Sequence, residues 1–319
     1  MSTKPIRWAV LGTANIAAKA FLPAMRAAGH TAVAVGSRDP ERAGAWATEN
    51  SVGRAVSYAD AISADDVDAI YIAVPNDQHV RLAAQAAASG RPVVCEKPLG
   101  LDAGEVDTLL AQVGDARLWE AFVFPFHPQT ALLVQLCAAD GPIGGVREII
   151  SEFHFRVTRV ENIRWQPVNG GGALLDVGCY PIRLARLLFG TEPSSAAAEA
   201  VVAESGVDAE FAAVLAFPDA QRLIFSVGMR RAPSTYTRVI GDDGELRVSN
   251  PFHPTENDTV ELWRGGQLVQ TWPADPARAF QYAIEHVADV VNGAEPKHLA
   301  ATDSPGNARA LDLVRAAVR

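Results

Sequence analysis

The chain has 319 residues, 49% hydrophobic and 20% charged, a length that calls for about two domains and a composition that excludes a disordered or fibrous chain. Lysine and arginine total 28 against 37 aspartate and glutamate, a net charge of -9 with no basic run, so nucleic acid is not an expected partner. No apolar stretch approaches the ~18 residues of a membrane span, and the segment after Met1–Arg7 is too short for a signal-peptide core, so the cytoplasm is the expected compartment and no membrane partner is expected.

Short apolar runs and Ala-rich helical stretches alternate through the first part of the chain. Strands are predicted at Ile6–Leu11, Thr31–Gly36, Val67–Val74, Pro92–Cys95 and Arg117–Phe122. Between them lie helices at Asn15–Ala28, Pro40–Glu49, about Asp77–Ser89 and Ala103–Val113. Several strands are apolar on both sides, as when helices cover both faces of a parallel sheet, which predicts a doubly wound α/β (Rossmann) domain over 1–122. Pro23 lacks an N–H and should kink or restart the first helix.

After a helix near Gln129–Ala139 the pattern becomes alternating runs separated by turn residues: Val146–Val157, Ala197–Ala203, Phe211–Phe217, Arg222–Met229, Tyr236–Gly241, Glu245–Val248, Thr259–Trp263 and Gln267–Trp272. These predict an α+β domain over 123–319 with a large, mostly antiparallel open sheet. Gly170–Gly172 precedes a helix to about Phe189, and helices at about Pro276–Val291 and from Ser304 end the chain, the last (304–319) a candidate to pack back on the first domain. Such a pair of domains is expected to leave a cleft between them. Cys95, Cys137 and Cys179 are far apart, with no C-x-x-C and no nearby histidine pair, which argues against a zinc site or a disulfide framework.

The first strand runs into Gly12-Thr13-Ala14-Asn15-Ile16-Ala17, the position of a dinucleotide fingerprint, of which Gly12 is the surviving glycine. The second strand ends in Ser37-Arg38-Asp39; an NAD-selective domain has a carboxylate where Ser37 stands, whereas a hydroxyl beside a guanidinium suits a 2′-phosphate. Asp39 is placed either to pair with Arg38 or to repel that phosphate. Later strands end in Val74-Pro75-Asn76, followed by His79, and in Cys95-Glu96-Lys97-Pro98, at carboxyl ends where open α/β sheets bind ligands. In Gly170–Tyr180, Asp176 and Tyr180 are the polar exceptions at i and i+4 of an otherwise apolar helix. A buried Asp176 needs a partner, and the glycines let backbone approach either the neighbouring sheet or a nicotinamide.

These segments, with Glu120-Ala121-Phe122, Phe126-His127-Pro128 and Asp303–Ala308, resemble the Gfo/Idh/MocA family of NAD(P)-dependent oxidoreductases over essentially the whole chain. The branch that resembles it most contains NADP-dependent dimeric dihydrodiol dehydrogenase, D-xylose dehydrogenase and glucose-fructose oxidoreductase, since Tyr180 stands where the inositol dehydrogenase branch has histidine. The resemblance implies NADP rather than NAD as cofactor, held by Gly12, Thr13, Ala14, Asn15, Ile16, Ser37, Arg38, Pro75, Asn76, His79, Glu96 and Lys97. It implies Lys97 and Tyr180 as catalytic groups with Asp176 binding substrate, and it puts His127, Asn162, Arg164, Trp165, Phe252 and His253 at the substrate. A homodimer or homotetramer through the second sheet is also implied. Pro125 departs from the family, where arginine is frequent, and leaves the substrate open among sugars, polyols, dihydrodiols and keto-sugars.

The expected chemistry moves a hydride between a nicotinamide and a secondary alcohol, hemiacetal or carbonyl, with a side chain handling the proton. Bringing a tyrosine from about 10 to about 7 takes roughly 4 kcal/mol, which a lysine ~4 Å away supplies at an effective dielectric of about 20. Lys97 as donor with Tyr180 orienting the substrate uses the same pair in exchanged roles. Competing readings are a glycoside hydrolase that uses bound NAD transiently, a reductase of non-sugar carbonyls, and a nucleotide sensor.

Overall fold

Arg7–Leu11 (β1), rich in β-branched and aromatic side chains, is a strand whose last four residues are buried, so its faces are apolar without alternation. The fold is a computed structural model that describes residues 4–114, 117–293 and 303–318. After β1, a π-helical turn Ala17–Phe21 continues into α1 (Leu22–Ala27), followed by β2 (Thr31–Gly36), α2 (Pro40–Glu49), β3 (Ala55–Val56), α3 (Tyr58–Ser63), β4 (Ala69–Ile72), α4 (His79–Ala88), β5 (Val93–Cys95), α5 (Ala103–Val113) and β6 (Leu118–Glu120). The six strands are parallel in the order β3-β2-β1-β4-β5-β6. Strand order reverses between β1 and β4, where a doubly wound sheet binds its ligand. Pro23 falls at the start of α1, directly after the π turn, whose wider bonding pattern accommodates a residue without an N–H. Sequence patterning missed β3 and α3, both short; α3 is started by Ser57, whose Oγ accepts from the Asp60 amide at 3.1 Å.

The second half contains α6 (Pro128–Leu136), β7 (Val146–Arg156), a second π turn Leu174–Gly178 running into α7 (Cys179–Phe189), then β8 (Ser195–Val202), β9 (Asp208–Ala216), β10 (Arg222–Gly228), β11 (Arg230–Gly241), β12 (Glu245–Val248), β13 (Thr259–Arg264), β14 (Gln267–Pro273), α8 (Ala279–Val291) and α9 (Ser304–Ala316). Eight strands pair in the order β14-β13-β12-β11-β7-β10-β9-β8, with β7–β10 the parallel pair. β11 begins six residues before the predicted Tyr236 because a register irregularity between Arg230 and Ser234 breaks the alternation that marks a strand. α7 packs on β7 and β10. The opposite face alternates half-buried Ile150, Ile224, Tyr236 and Trp263 with the ion pairs Arg222–Glu148 and Arg238–Glu245.

The chain divides into two units, Met1–Gly100 with Gly104–Phe126 and Ala279–Ser304, and Leu101–Ala103 with His127–Arg278 and Pro305–Arg319. The helix that returns to the first unit is α8, whereas sequence analysis had offered the last helix for that place. The reason is in the side chains. Ala279, Phe280, Ala283, Ile284, Val287 and Ala288 form one apolar face of α8, and Phe280 meets Phe21 and Tyr71 edge-on at 6.4 and 6.3 Å. α9 is held elsewhere: Asp312 accepts from the Ala103 amide at 2.8 Å, and Val318 bridges to Ala198 of β8.

Candidate active site

In the first unit, Gly12 ends β1 with φ +102°, and a Cβ there would lie 2.2 Å from the Ala73 carbonyl oxygen. Only glycine lets the ends of β1 and β4 close up this far. Its amide also donates to Gly36 O at 2.9 Å, tying the ends of β1 and β2 together. Thr13 and Ala14 are half-buried, Asn15 and Ile16 exposed, at the start of the helical segment that leads into α1. Backbone amides at such a start form an anion site, so this turn fits a pyrophosphate. At the end of β2, Ser37 Oγ accepts from the Asp39 amide at 3.2 Å. Asp39 is the N-cap of α2 and accepts from the Arg42 amide at 3.0 Å. Arg38, exposed, has no hydrogen-bond or ion-pair partner among the described residues. Asp39 therefore neither pairs with Arg38 nor stands uncommitted, and this turn fits a 2′-phosphate.

Lys97 lies directly after β5 in a segment anchored on three sides. Glu96 Oε1 accepts from Tyr71 Oη at 2.6 Å, and Tyr71 stacks on Phe21 at 3.8 Å in the core. Buried Glu120 accepts from the Leu99 amide at 2.8 Å. His79 is fully buried, Nδ1 at 2.7 Å from Pro98 O and Nε2 at 2.9 Å from Val74 O, and burial pulls its pKa down. Both ring nitrogens of His79 thus face backbone carbonyl oxygens, and the neutral ring donates to one of them. The residue ties the segment after β4, with half-buried Pro75 and Asn76, to the segment after β5. A carboxylate within the otherwise apolar run 118–122 is the sequence signal for Glu120.

In the second unit, the glycines approach protein backbone and side chain. A Cβ on Gly171 would lie 2.5 Å from Arg164 O, and one on Gly172, at φ +118°, 2.2 Å from Asp208 Oδ1. These close approaches are to Asp208 of β9 and to the backbone of residues 164–166. Half-buried Asp176 accepts from Arg164 Nε at 2.6 Å, and the Arg164 guanidinium lies 5.6 Å from the Phe155 ring centre. Tyr180 is 5% exposed and packed by Phe252 at 5.2 Å, His253 at 5.4 Å and Phe153 at 5.6 Å between ring centres. The structure thus gathers Arg164 with Asp176, and Tyr180 with Phe252 and His253.

Three of the expected substrate residues have other work. His127 is buried, its Nδ1 accepting from the Gln129 amide at 3.1 Å as the N-cap of α6 and its Nε2 lying 3.1 Å from Ala277 O, with burial lowering its pKa. Phe252 is fully buried against Phe153 and packs on Tyr180. Asn162 caps the turn Ile163–Trp165 by accepting from the Arg164 amide at 3.1 Å. Trp165 is half-buried and His253 exposed.

Residues 6–118 match the oxidoreductase family with an NAD-binding Rossmann fold, and residues 133–247 match the GFO/IDH/MocA C-terminal domain. The chain is 33% identical to D-xylose 1-dehydrogenase (NADP(+)) 2 of Haloferax volcanii over 96% of its length and 95% of that protein. It is 28% identical to trans-1,2-dihydrobenzene-1,2-diol dehydrogenase of Xenopus tropicalis over 73% of its length and 72% of that protein. A solved 3-ketoreductase from Actinomadura kijaniata, in complex with NADP and TDP-benzene, superposes with a TM-score of 0.89 at 30% identity, covering 99% of this chain and 98% of that one. With both family models matched in order along a parallel sheet and a mostly antiparallel one, the chain belongs to the GFO/IDH/MocA family of oxidoreductases.

Proposed function

We propose that this protein is an NADP-dependent dehydrogenase or reductase that works on a CH–OH or carbonyl group of a sugar, polyol or dihydrodiol. The observation that carries this reading is one helical segment with two chemistries: Asp176 paired to Arg164 at 2.6 Å and Tyr180 packed among Phe153, Phe252 and His253. The similar proteins are named as dehydrogenases and a reductase, which leaves the hydrolase and sensor readings without support.

NADP supplies the hydride acceptor, or in its reduced form the donor, when bound. The residues toward it are the turn Gly12–Ile16, Ser37 and Arg38, the Pro75-Asn76 segment, and Lys97. Tyr180 takes the hydroxyl proton of the substrate as the C–H bond gives up its hydride and the C=O bond forms; in reduction it returns that proton. Lys97, a cation that follows β5, is the second group we assign to the reaction. Asp176 accepts a hydrogen bond from a second substrate hydroxyl, and Arg164 Nε, donating to Asp176 at 2.6 Å, aims that carboxylate. Free Cys95, Cys137 and Cys179 suit a reducing compartment, and we assign the cytoplasm. Among the described residues no helix is long and apolar enough to cross a membrane.

The direct test is a panel of aldoses, polyols, dihydrodiols and keto-sugars with NADP and NADPH, followed by nicotinamide absorbance. Turnover of at least one sugar-type compound is expected. A panel without any absorbance change would overturn the reading.

The face of the eight-stranded sheet opposite α7 mixes apolar side chains with ion pairs, as an interface core and rim do, and an antiparallel sheet of this width is normally covered on at most one face in a lone subunit. We assign this face to a homo-oligomer. Light scattering at micromolar concentration should return a multiple of 33.9 kDa, and a stable monomer mass would contradict it.

A further inference from the structure

We propose that Asp208 is a positioning residue for proton transfer, pinning from β9 the turn at which the segment carrying Asp176 and Tyr180 begins. The inference rests on the reading of those two residues given above. The π turn Leu174–Gly178 has Ala173 before it, which provides no side-chain cap, so its first amides need acceptors from elsewhere. Asp208 supplies one across 34 residues of sequence: Oδ2 accepts from the Leu174 amide at 2.6 Å. The fit is built from both sides, since a side chain on Gly172 would meet Asp208 Oδ1 at 2.2 Å. Asp176 follows Leu174 by two residues and Tyr180 by six. A shift of this turn therefore moves the carboxylate and the phenol together.

Burial pushes the Asp208 carboxyl up to about 6, even though the amides and the Arg315 guanidinium of α9 favour its ionised form. The sign matters. A carboxyl whose folded pKa lies above its ordinary value costs the fold stability as pH rises from about 4 to about 6, and that cost stays in place at neutral pH. A neutral cap such as asparagine would avoid it. A costly ionised group at the start of the segment that carries two candidate reacting residues points to function rather than to stability.

Asp208→Asn keeps one acceptor and Asp208→Ala keeps none, so the two are to be compared with Gly172→Ala by steady-state kinetics, NADP titration and thermal melting at pH 8. Asp208→Asn is expected to hold or raise Tm and leave the NADP Kd unchanged, while lowering kcat about threefold to tenfold; Asp208→Ala should lower it about tenfold or more. Gly172→Ala should lower kcat as well. A merely structural role would move kcat and Tm down together, with Asn restoring both, and that pattern, or a wild-type kcat in both Asp208 variants, overturns the inference. Tyr180→Phe measured alongside keeps the two ideas apart. Normal turnover in Tyr180→Phe refutes the proton-transfer reading, whereas a dead Tyr180→Phe with a wild-type Asp208→Ala refutes only the role of Asp208.

Discussion

Lys97→Ala and Tyr180→Phe are each expected to lower kcat by about a hundredfold or more, the contribution of a positioned general acid or base. Tyr180→Phe removes one oxygen from a ring held by Phe153, Phe252 and His253, so the packing stays and the loss isolates the proton. Its KM and the NADP Kd should stay within about threefold of the parent, because an interaction made only in the transition state acts on kcat. Lys97→Ala leaves the segment around it anchored through Tyr71–Glu96, Glu120–Leu99 and His79–Pro98. Its loss of kcat should therefore exceed any loss of nucleotide affinity. Near-normal turnover in either variant sinks the assignment.

The second large effect concerns cofactor choice. NADP is expected to be used about ten- to a hundredfold better than NAD in kcat/KM, from charge-assisted hydrogen bonds of Arg38 to the 2′-phosphate worth roughly 1.5–3 kcal/mol. In the structure Asp39 caps α2 through the Arg42 amide instead of pairing with Arg38, and Arg38 has no competing partner among the described residues. Arg38→Ala should cost most of the NADP preference and far less of the activity with NAD. Ser37→Asp should reverse the preference, since a carboxylate there repels the phosphate and accepts from a ribose hydroxyl. Better use of NAD than NADP by the unmodified protein would show this turn to be misread while leaving the dehydrogenase assignment intact.

The sequence by itself determined the two kinds of sheet, because a strand buried on both faces and a strand with one solvated face leave different hydrophobic periods. It also marked Gly12, Lys97, Asp176 and Tyr180, since each is an exception to the pattern of its own element: a glycine after a strand, a charge after a buried run, two polar groups on an apolar helix. What remained hidden depended on long-range partners. Nothing local distinguishes α8, which joins the first unit's core, from α9, which is tied to Ala103 and β8; only the aromatic cluster of Phe21 and Tyr71 makes that choice. His79, His127 and Asn162 read as ligand groups because they are polar and lie beside site segments; that they also hold backbone atoms of the fold is visible only in the structure. Asp208 gave no signal at all. Its role follows from β9 meeting a turn 34 residues earlier, and a hydrogen bond of that reach is decided by tertiary packing, which brings together groups that no local periodicity relates.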